Sequence, residues 1–503
     1  MKMFWTGSVN NLFFLFKKDK HWKKIKYKGL TIFFSGFFYK KDENSYWSIQ
    51  ELVKEILNKE NKSALKSFLK ELDGHYTLVI MSQNSILMIS DWINSYPLFY
   101  ILKNNIFFLS NCTKTLRNKL AKKKFNFQGA LEIMAGGYTL GNKTIYLDIT
   151  KCSPGTFSYL QKGQLKNVKF IAYSPTNNYK KGNNTYKKKK KKFIDILDKT
   201  FSRLVDLNHD RKIFIPLSAG LDSRLILSGI LRHGHKNITC YSYGLRGNTD
   251  TKIAKEIANK INIPFIEIVT KPSIVRNFSK NDAFKNYQSF YDSCSSVPFA
   301  QDLPALWYFM KKSRIPQEAL FVNGNTGDFI SGGHLPQLAS IIDKKKLNKK
   351  YLAQLFLNKH FSLWDKYKTS PYRDKLEKEF DLTLNKLLLE TDKNFNLFNS
   401  FETMEWYHRQ IKFVISGQKV YEFIDRDWRL PLWEFPVKNF FEQLDYSNKL
   451  NQYFYRKVLI DMNWQGIWKE LPINKKNVFP VWIRPVRNIL KSIYFFIGKE
   501  SWY

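Results

Sequence analysis

The segment from Phe214 to Arg224 constrains the fold most strongly, because a short apolar run enters a loop of small residues that opens a second apolar run. The first run, 213–217, predicts a buried strand, and residues 221–233 predict a helix. The same alternation continues with predicted strands at 238–243, 264–269 and 319–322 and predicted helices at 250–261 and 304–312. Alternating strands and helices predict a parallel sheet covered by helices.

The part of the chain before this segment has a different pattern, and 503 residues are too many for one typical domain. Short apolar runs separated by turn residues predict an antiparallel, strand-rich unit with interleaved helices. We predict a first domain at 1–175, a basic linker at 176–192 and a second domain at 193–503. The predicted strands lie at 31–34, 76–81, 85–90 and 105–109, and the predicted helices at 48–58 and 63–72.

The chain carries 82 Lys and Arg residues against 43 Asp and Glu residues, a net charge of +39. Such an excess raises nucleic acid or an anionic membrane as a partner. The lysines are scattered, however, and the six at 187–192 run into an amphipathic helical pattern from Phe193. We interpret those six as the solvated start of a helix and do not expect nucleic acid as a partner.

The four cysteines have no CxxC spacing, which argues against a zinc site or a disulfide framework and favours a reducing cytoplasm. No signal peptide or transmembrane stretch is predicted. The tail 481–503 mixes aromatic and basic residues, so weak contact with a membrane surface is left open beside a packed C-terminal helix. A homodimer is also left open.

The loop between the predicted strand and helix has the chemistry of an anion site. Ser218, Gly220 and Ser223 let backbone amides and hydroxyls approach a phosphate at a helix N-terminus. Asp222 in such a site is explained by a bound Mg²⁺ that shares its ligands with the phosphates. The loop lacks the lysine of a Walker motif, which excludes a mononucleotide kinase of that type. The alternative is a purely structural strand-to-helix turn in which serine caps the helix.

The residues of this loop, Leu217 to Ser223, resemble the LSGGLDS loop of the asparagine synthetase family, with Ala219 in place of one glycine. Other segments resemble the family in the same order along the chain. They are Tyr241 to Leu245, the helix beginning at Asp250, Asn323 to Gly333 (family SGEGSDEIFGG), Arg429 to Glu434 and the late lysines Lys475 and Lys476.

The resemblance implies ATP and Mg²⁺ as cofactors and a set of site residues. Asp222 and Asp328 would hold Mg²⁺ on the pyrophosphate, and Lys476, with Lys475 as the alternative, would stabilise charge on the leaving phosphates. The implied ATP-binding residues are Leu217, Ser218, Ala219, Gly220, Leu221, Asp222, Ser223, Tyr243, Gly244 and Gly324. We further expect the segment 292–299 to line the pocket of the second substrate.

The front domain resembles the family's glutaminase, an N-terminal-nucleophile hydrolase, in the segments around Phe34 to Tyr39, Leu72 to Tyr76 and Asp91 to Tyr100. The implied architecture is α/β: an Ntn-hydrolase-like αββα sandwich followed by a parallel-sheet ATP pyrophosphatase domain with added helices. The chain starts with Met1 rather than the cysteine nucleophile, and Ser35 replaces the oxyanion-stabilising asparagine. We therefore expect an inactive glutaminase domain, as in the related β-lactam synthetase.

The resemblance implies an AMP-forming amide ligase that adenylates a small-molecule carboxylate and transfers it to ammonia or an amine. Two departures place the second step in question: Asn325 stands where the family has a glutamate, and Phe329 where it has a further acidic residue. The alternatives are an RNA-modifying enzyme with the same ATP loop, favoured by the charge, and a non-catalytic ATP-binding relative.

Overall fold

The computed structural model describes residues 4–9, 11–40, 43–161, 163–176, 186–270, 272–312, 315–335 and 348–473. The tail 481–503, for which weak membrane contact is left open beside a packed helix, and most of the expected linker lie outside the described residues. Within them, no helix has the length and apolar character needed to cross a membrane.

The front half contains two facing sheets. One has the strand order β1-β2-β8-β7-β9 and the other β11-β10-β6-β5-β4-β3. The strands are Phe4–Val9 (β1), Leu12–Lys17 (β2), Trp22–Tyr27 (β3), Leu30–Tyr39 (β4), Asp73–Met81 (β5), Ser85–Ser90 (β6), Phe99–Lys103 (β7), Ile106–Ser110 (β8), Thr150–Lys151 (β9), Thr156–Gln161 (β10) and Gln164–Lys169 (β11).

The residue pattern of these strands explains why the sheets face each other. β2 alternates strictly, with Leu12, Phe14 and Phe16 buried and the residues between them partly exposed, because neighbouring side chains point to opposite faces of a strand. The Phe16 ring stacks on Phe33 of the opposite sheet at 4.3 Å between ring centroids. β5 is buried along its whole length because both of its faces are covered.

Helices cover the outer faces of this sandwich. Ile49–Leu57 and Lys62–Glu71 pack Leu52, Val53 and Leu69 onto the sheet that contains β5. Thr113–Arg117 and Phe127–Gly136 follow the strands of the other sheet. The expected αββα sandwich is therefore confirmed.

The second half is built on a five-stranded parallel sheet in the order β14-β13-β12-β15-β16. Its strands are Ile213–Pro216 (β12), Ile238–Gly244 (β13), Phe265–Val269 (β14), Leu320–Val322 (β15) and Asp427–Arg429 (β16). The chain leaves β12 toward one edge and returns to the other side of β12 as β15. The strand order thus reverses between β12 and β15, the place where open α/β sheets bind ligands.

Helices surround this sheet and extend beyond it, as expected. Among the described residues, the α-helices of this second half are Tyr186–Asp206, Asp222–Arg232, Thr249–Lys260, Pro272–Ser279, Asp282–Tyr291, Leu303–Lys311, Gly327–Ile330, Lys349–His360, Tyr372–Thr391, Leu397–Glu405, Lys419–Phe423, Phe435–Gln443, Tyr446–Lys449 and Tyr453–Met462. A π-helix spans Trp406–Val414, and short 3₁₀ turns span Asp365–Lys368, Ile415–Gln418, Pro431–Trp433, Leu450–Gln452 and Trp464–Gly466. The helix Tyr186–Asp206 includes the six lysines, as expected.

The two halves meet through a buried ion cluster. Arg203 donates hydrogen bonds to Asp73 of the front half at 2.7 Å and to Glu434 of the second half at 2.5 Å. Its guanidinium also lies over the Tyr39 ring, 3.8 Å from the centroid. Burial raises the pKa of Glu434 to about 7, even though Arg203 opposes this shift. The cluster therefore depends on Arg203 to compensate two buried carboxylates.

Arg203→Met should lower the free energy of unfolding by about 3 kcal/mol, because it leaves Asp73 and Glu434 buried without their cation. Arg232→Met is the matched control, since its partner Asp198 and Arg232 itself are partly exposed and such pairs contribute less than about 1 kcal/mol. Urea unfolding followed by tryptophan fluorescence compares the two variants. Equal losses would show that the cluster does not hold the two halves together.

Candidate functional site

A cavity of about 380 Å³ opens at the carboxyl ends of β12 and β15. Its walls come from three parts of the chain: the loop after β12, the loop after β15, and the end of β13 together with residues 299–302. The lining residues are Pro216, Ser218, Gly220, Leu221, Asp222, Ser223, Tyr243, Phe299, Gln301, Asp302, Asn323, Gly324, Asn325, Thr326, Asp328 and Gln452.

Most of the residues expected at an ATP site therefore border one cavity: Ser218, Gly220, Leu221, Asp222, Ser223, Tyr243, Gly324 and Asp328. Three expected residues do not border it. The side chains of Leu217 and Ala219 are buried beneath the loop, and Gly244 lies at the end of β13. Lys475 and Lys476 lie outside the described residues. The binding roles of all these residues stay predictions.

The loop after β12 is shaped by its own side chains. The Ser218 amide donates to the Ser223 hydroxyl at 3.0 Å, and the Gly220 amide donates to the Ser218 hydroxyl at 3.2 Å. The Ala219 amide donates to Asp250 at 3.2 Å, which gives the helix Thr249–Lys260 a direct contact with the loop. These three bonds fix the shape of the loop from within and leave the amides at the start of the helix Asp222–Arg232 as the group that faces an anion.

Two glycines allow the second loop to lie directly on the first. A Cβ atom added to Gly324 would meet the backbone carbon of Asp222 at 2.6 Å, and one added to Gly327 would meet the Asp222 carboxylate at 2.5 Å. Both distances are shorter than carbon and oxygen atoms tolerate. Any side chain at these two positions would therefore push Asp222 away from the second loop.

The close approach brings two carboxylates to one cavity. Asp222 accepts a hydrogen bond from the Asp328 amide at 2.9 Å and another from the Tyr455 hydroxyl at 3.0 Å. Burial and the neighbouring Asp328 carboxylate raise the pKa of Asp222 to about 8. The hydrogen bonds from Tyr455 and the Asp328 amide and the charge of His334 only partly offset this rise in the pKa of Asp222. Two carboxylates facing phosphates are the ligand set that suits Mg²⁺.

A chain of ionisable groups holds Asp328 from behind. His334 Nε2 lies 3.2 Å from Asp328, and its Nδ1 is hydrogen-bonded to Glu405. Burial alone would lower the pKa of His334, but Glu405 and Asp328 raise it to about 9. Burial likewise opposes ionisation of Asp328, but the bond and charge of His334 outweigh it and lower the pKa of Asp328.

Glu405 is fully buried, and it also faces Lys359 at 3.3 Å and His360 at 3.6 Å. Sequence reasoning missed His334, Glu405 and Tyr455. No local pattern marks them, because they come from three different helices or turns and meet only around Asp222 and Asp328.

Asp302 forms the other end of the cavity and was also missed. Its carboxylate accepts hydrogen bonds from Tyr243 and, at 2.8 Å, from Tyr421. Burial raises the pKa of Asp302, and the two hydroxyl bonds only partly offset that effect. Asp302 therefore fixes the Tyr243 ring, which we expect to contact adenosine.

Of the segment 292–299, which we expect to line the pocket of the second substrate, Phe299 alone borders the cavity described above, and the binding role of the segment stays a prediction. Asp292 instead accepts a hydrogen bond from Arg117 at 2.7 Å, and the Asp292 carbonyl accepts one from Thr113 at 2.9 Å. Both partners belong to the front half. The segment begins at the contact between the two halves and reaches the cavity only at its end.

Comparison with known proteins gives a match over each half. A family model described as asparagine synthase matches residues 196–459, and one described as a glutamine amidotransferase domain matches residues 16–171. The microcin J25-processing protein McjC of Escherichia coli is 24% identical over 298 residues, 58% of this chain and 53% of that protein. The chain thus spans about half the length of the curated relative it matches.

Two solved structures resemble this chain weakly. The glutamine phosphoribosylpyrophosphate amidotransferase of B. subtilis, complexed with ADP and GMP, is 10% identical, covering 62% of this chain and 59% of that chain with a TM-score of 0.18. The glutamine-dependent NAD⁺ synthetase of Acinetobacter baumannii, in complex with ADP, is 11% identical, covering 57% and 62% with a TM-score of 0.20. Scores of this size support no inference about function.

Gly324→Ala should weaken ATP binding by about tenfold or more, because its methyl group would displace Asp222 and misplace the ligand groups by a fraction of an ångström. Gly234→Ala is the control: its Cβ would enter open space, but its φ of +82° strains the backbone at a cost of about 1 kcal/mol. Calorimetric titration with ATP measures the loss of binding in each variant, and thermal melting measures the loss of stability. The reverse pattern, with binding lost only in Gly234→Ala, would contradict this assignment of the loop contact.

Proposed function

The chain belongs to the asparagine synthase family, whose model covers just over half of it, and we propose from this premise that it is an ATP-dependent, AMP-forming carbon–nitrogen ligase. A substrate carboxylate oxygen would bond to the α-phosphorus of ATP as pyrophosphate leaves. An amine nitrogen would then bond to the acyl carbon, AMP would leave, and the amine would lose a proton. The observation that carries the proposal is the meeting of Ser218 to Ser223 with Gly324 to Asp328 around one cavity.

In the first step, the adenylation, different residues of the chain would have different roles. Backbone amides and hydroxyls of the loop after β12 would bind phosphate oxygens at the start of the helix Asp222–Arg232. Asp222 and Asp328 would hold Mg²⁺, which when bound neutralises charge on the pyrophosphate. His334 and Tyr455 would keep the two carboxylates oriented toward the cavity. Lys476 would approach the phosphates from the last part of the chain.

The second step would use a cavity without a general base at the position of the family glutamate. Asn325 borders the cavity, but an amide cannot accept a proton from the amine at neutral pH. Phe329 does not face the reacting groups: it is buried, with its ring stacked on Trp433 at 5.9 Å between centroids. We therefore propose that the amine enters already deprotonated or loses its proton to the substrate or water.

The front domain, we propose, has no glutaminase activity of its own. Ser35, in the place of the oxyanion-stabilising asparagine, is completely buried, and its hydroxyl has no hydrogen-bond partner among the described residues. Asp73 is occupied by Arg203 and by the Phe435 amide at 3.1 Å. His75 and Tyr96 are covered by the Trp428 ring, with centroid distances of 5.5 and 5.6 Å. These contacts support a packing role for this face of the domain.

The proposal for the acyl substrate rests on sequence similarity to one relative alone. The relative McjC is named for the processing of microcin J25. On that basis we propose that this chain acts in the processing of a comparable natural product rather than on free aspartate. An exchange assay with labelled pyrophosphate, ATP and a panel of amino acids and peptides would identify the acid. Exchange with aspartate alone would contradict this part of the proposal.

Asp222→Asn should weaken ATP binding in the presence of Mg²⁺ by about tenfold or more, because it removes one of two charged ligands. Binding of ATP in EDTA should change much less. Asp282→Asn is the control, since Asp282 is 87% exposed at the start of another helix. Calorimetric titration with ATP in Mg²⁺ and with ATP in EDTA measures how much affinity the metal adds to each protein. The metal assignment fails if Mg²⁺ adds the same affinity to the variant and to the natural protein.

With glutamine as the only nitrogen source, the full chain should release no glutamate above the rate without protein, because Ser35 offers no side-chain amide to an oxyanion. Coupled glutamate detection measures this, in the presence and absence of Mg²⁺ and ATP. The same assay on Ser35→Asn tests whether the residue at position 35 alone accounts for the lack of glutamate release. Glutamate formed in proportion to ATP consumed by the natural protein would overturn the proposal.

A further inference from the structure

An exposed apolar surface is formed by residues of the front half and by a short segment of the second half, and none of these residues lines the ATP cavity. We name it the aromatic face and define it by Phe125, Phe127, Met134, Leu147, Leu363 and Trp364, all large apolar residues that are more than a third exposed. Soluble monomers rarely expose apolar side chains in such a group unless the group binds something. Nothing in the proposed ligase reaction uses these residues.

Contacts made by these residues and by their immediate neighbours in the chain place the six residues close together. The Phe125 and Phe127 rings lie 6.0 Å apart, and the Leu147 amide donates to the carbonyl of Lys124, the residue before Phe125. Phe127 and Met134 are seven residues apart in the helix Phe127–Gly136, which puts them on the same side of that helix. The Leu363 amide donates to Ala135, the residue after Met134.

The three most exposed members of the aromatic face are Phe127, Leu363 and Trp364. Phe127 is 82% exposed and Trp364 is 63% exposed, although their helix and turn are otherwise anchored. The opposite side of the helix Phe127–Gly136 buries Leu131, Glu132 and Ala135. The turn after Trp364 is anchored by Tyr367, whose hydroxyl lies 3.4 Å from the Met134 sulfur. The two aromatic side chains are thus presented by ordered backbone.

Lysines flank two segments of the aromatic face. Lys122, Lys123 and Lys124 are exposed and directly precede Phe125. Lys366 follows Trp364 closely, whereas Lys368 is paired with the exposed Asp365 at 2.6 Å. Cores of protein–protein interfaces are depleted in lysine, whereas surfaces that enter the headgroup region of a bilayer interleave lysine with tryptophan and phenylalanine. The composition of this surface therefore fits a lipid bilayer better than a protein partner.

We propose that the aromatic face docks the enzyme on an anionic lipid surface. The net charge of +39 attracts the chain to negative headgroups over a Debye length. Phe127 and Trp364 then insert at the headgroup level, while Lys122 to Lys124 contact lipid phosphates. The inference does not depend on the ligase reaction, and it concerns a different part of the chain from the tail 481–503.

Vesicle flotation of the full chain tests the proposal, with phosphatidylglycerol–phosphatidylethanolamine vesicles compared with phosphatidylcholine vesicles. The natural protein should float only with the anionic vesicles. Phe127→Ser combined with Trp364→Ser should reduce the bound fraction by about tenfold or more. Leu389→Ser is the matched control: Leu389 is 83% exposed near the end of the helix Tyr372–Thr391, outside the aromatic face.

Replacement of Lys122, Lys123 and Lys124 by glutamine should weaken binding and reduce its dependence on salt. Thermal melting and ATP titration show that each variant is folded. The proposal is overturned if the natural protein floats with neither vesicle, which would assign the face to a protein partner. It is equally overturned if the double variant floats like the natural protein, which would assign binding to another segment.

Discussion

The contact between the loop after β12 and the loop after β15 is the constraint on which the rest of the site depends. Gly324 and Gly327 let the second loop touch Asp222, and the Asp328 amide then donates to the Asp222 carboxylate at 2.9 Å. The contact is available only between β12 and β15, where the order of the parallel sheet reverses. Burial of Asp222 and the charge of the neighbouring Asp328 raise the pKa of Asp222 to about 8. This pair of carboxylates is the feature on which we base the proposal of a metal–nucleotide complex in the cavity.

Side chains from the surrounding helices and turns hold those two carboxylates in place. Asp328 is held through His334 by Glu405, and Glu405 is in turn surrounded by Lys359 and His360. Asp222 is held by Tyr455, and Tyr243 is held by Asp302. Partners behind a ligand fix its orientation and contribute strongly to metal affinity. This explains why the second domain needs many helices beyond those that cover its sheet.

The front domain retains the layers of an amidotransferase while its inner surface serves another purpose. Asp73, Arg203 and Glu434 join the two halves, and Trp428 covers His75 and Tyr96. A surface that accepts a small molecule must leave polar groups accessible, whereas here they are paired or covered. The same domain turns Phe127 and its neighbours outward. The contacts of Asp73, Arg203 and Glu434 show that the domain supports the second half, and the loss of glutaminase activity and the docking role of the outward face are proposals.

The sequence by itself determined the two domain types, the parallel sheet, the cavity-lining loop from Ser218 to Ser223 and the pairing of Asp222 with Asp328. The strands, the helices and the loop follow from short-range patterns, because apolar periodicity marks strands and helices and small residues at a strand-to-helix junction mark an anion site. The domain types and the pairing of Asp222 with Asp328 were implied by the resemblance to a known family. Only the tertiary structure decided that Leu217 and Ala219 lie beneath the loop, that Asp292 turns toward the front half, and that His334, Glu405, Tyr455 and Asp302 complete the site. The physical reason is that burial, hydrogen-bond partners and electrostatic coupling depend on residues far apart in the chain. Their spacing in the sequence carries no trace of those contacts.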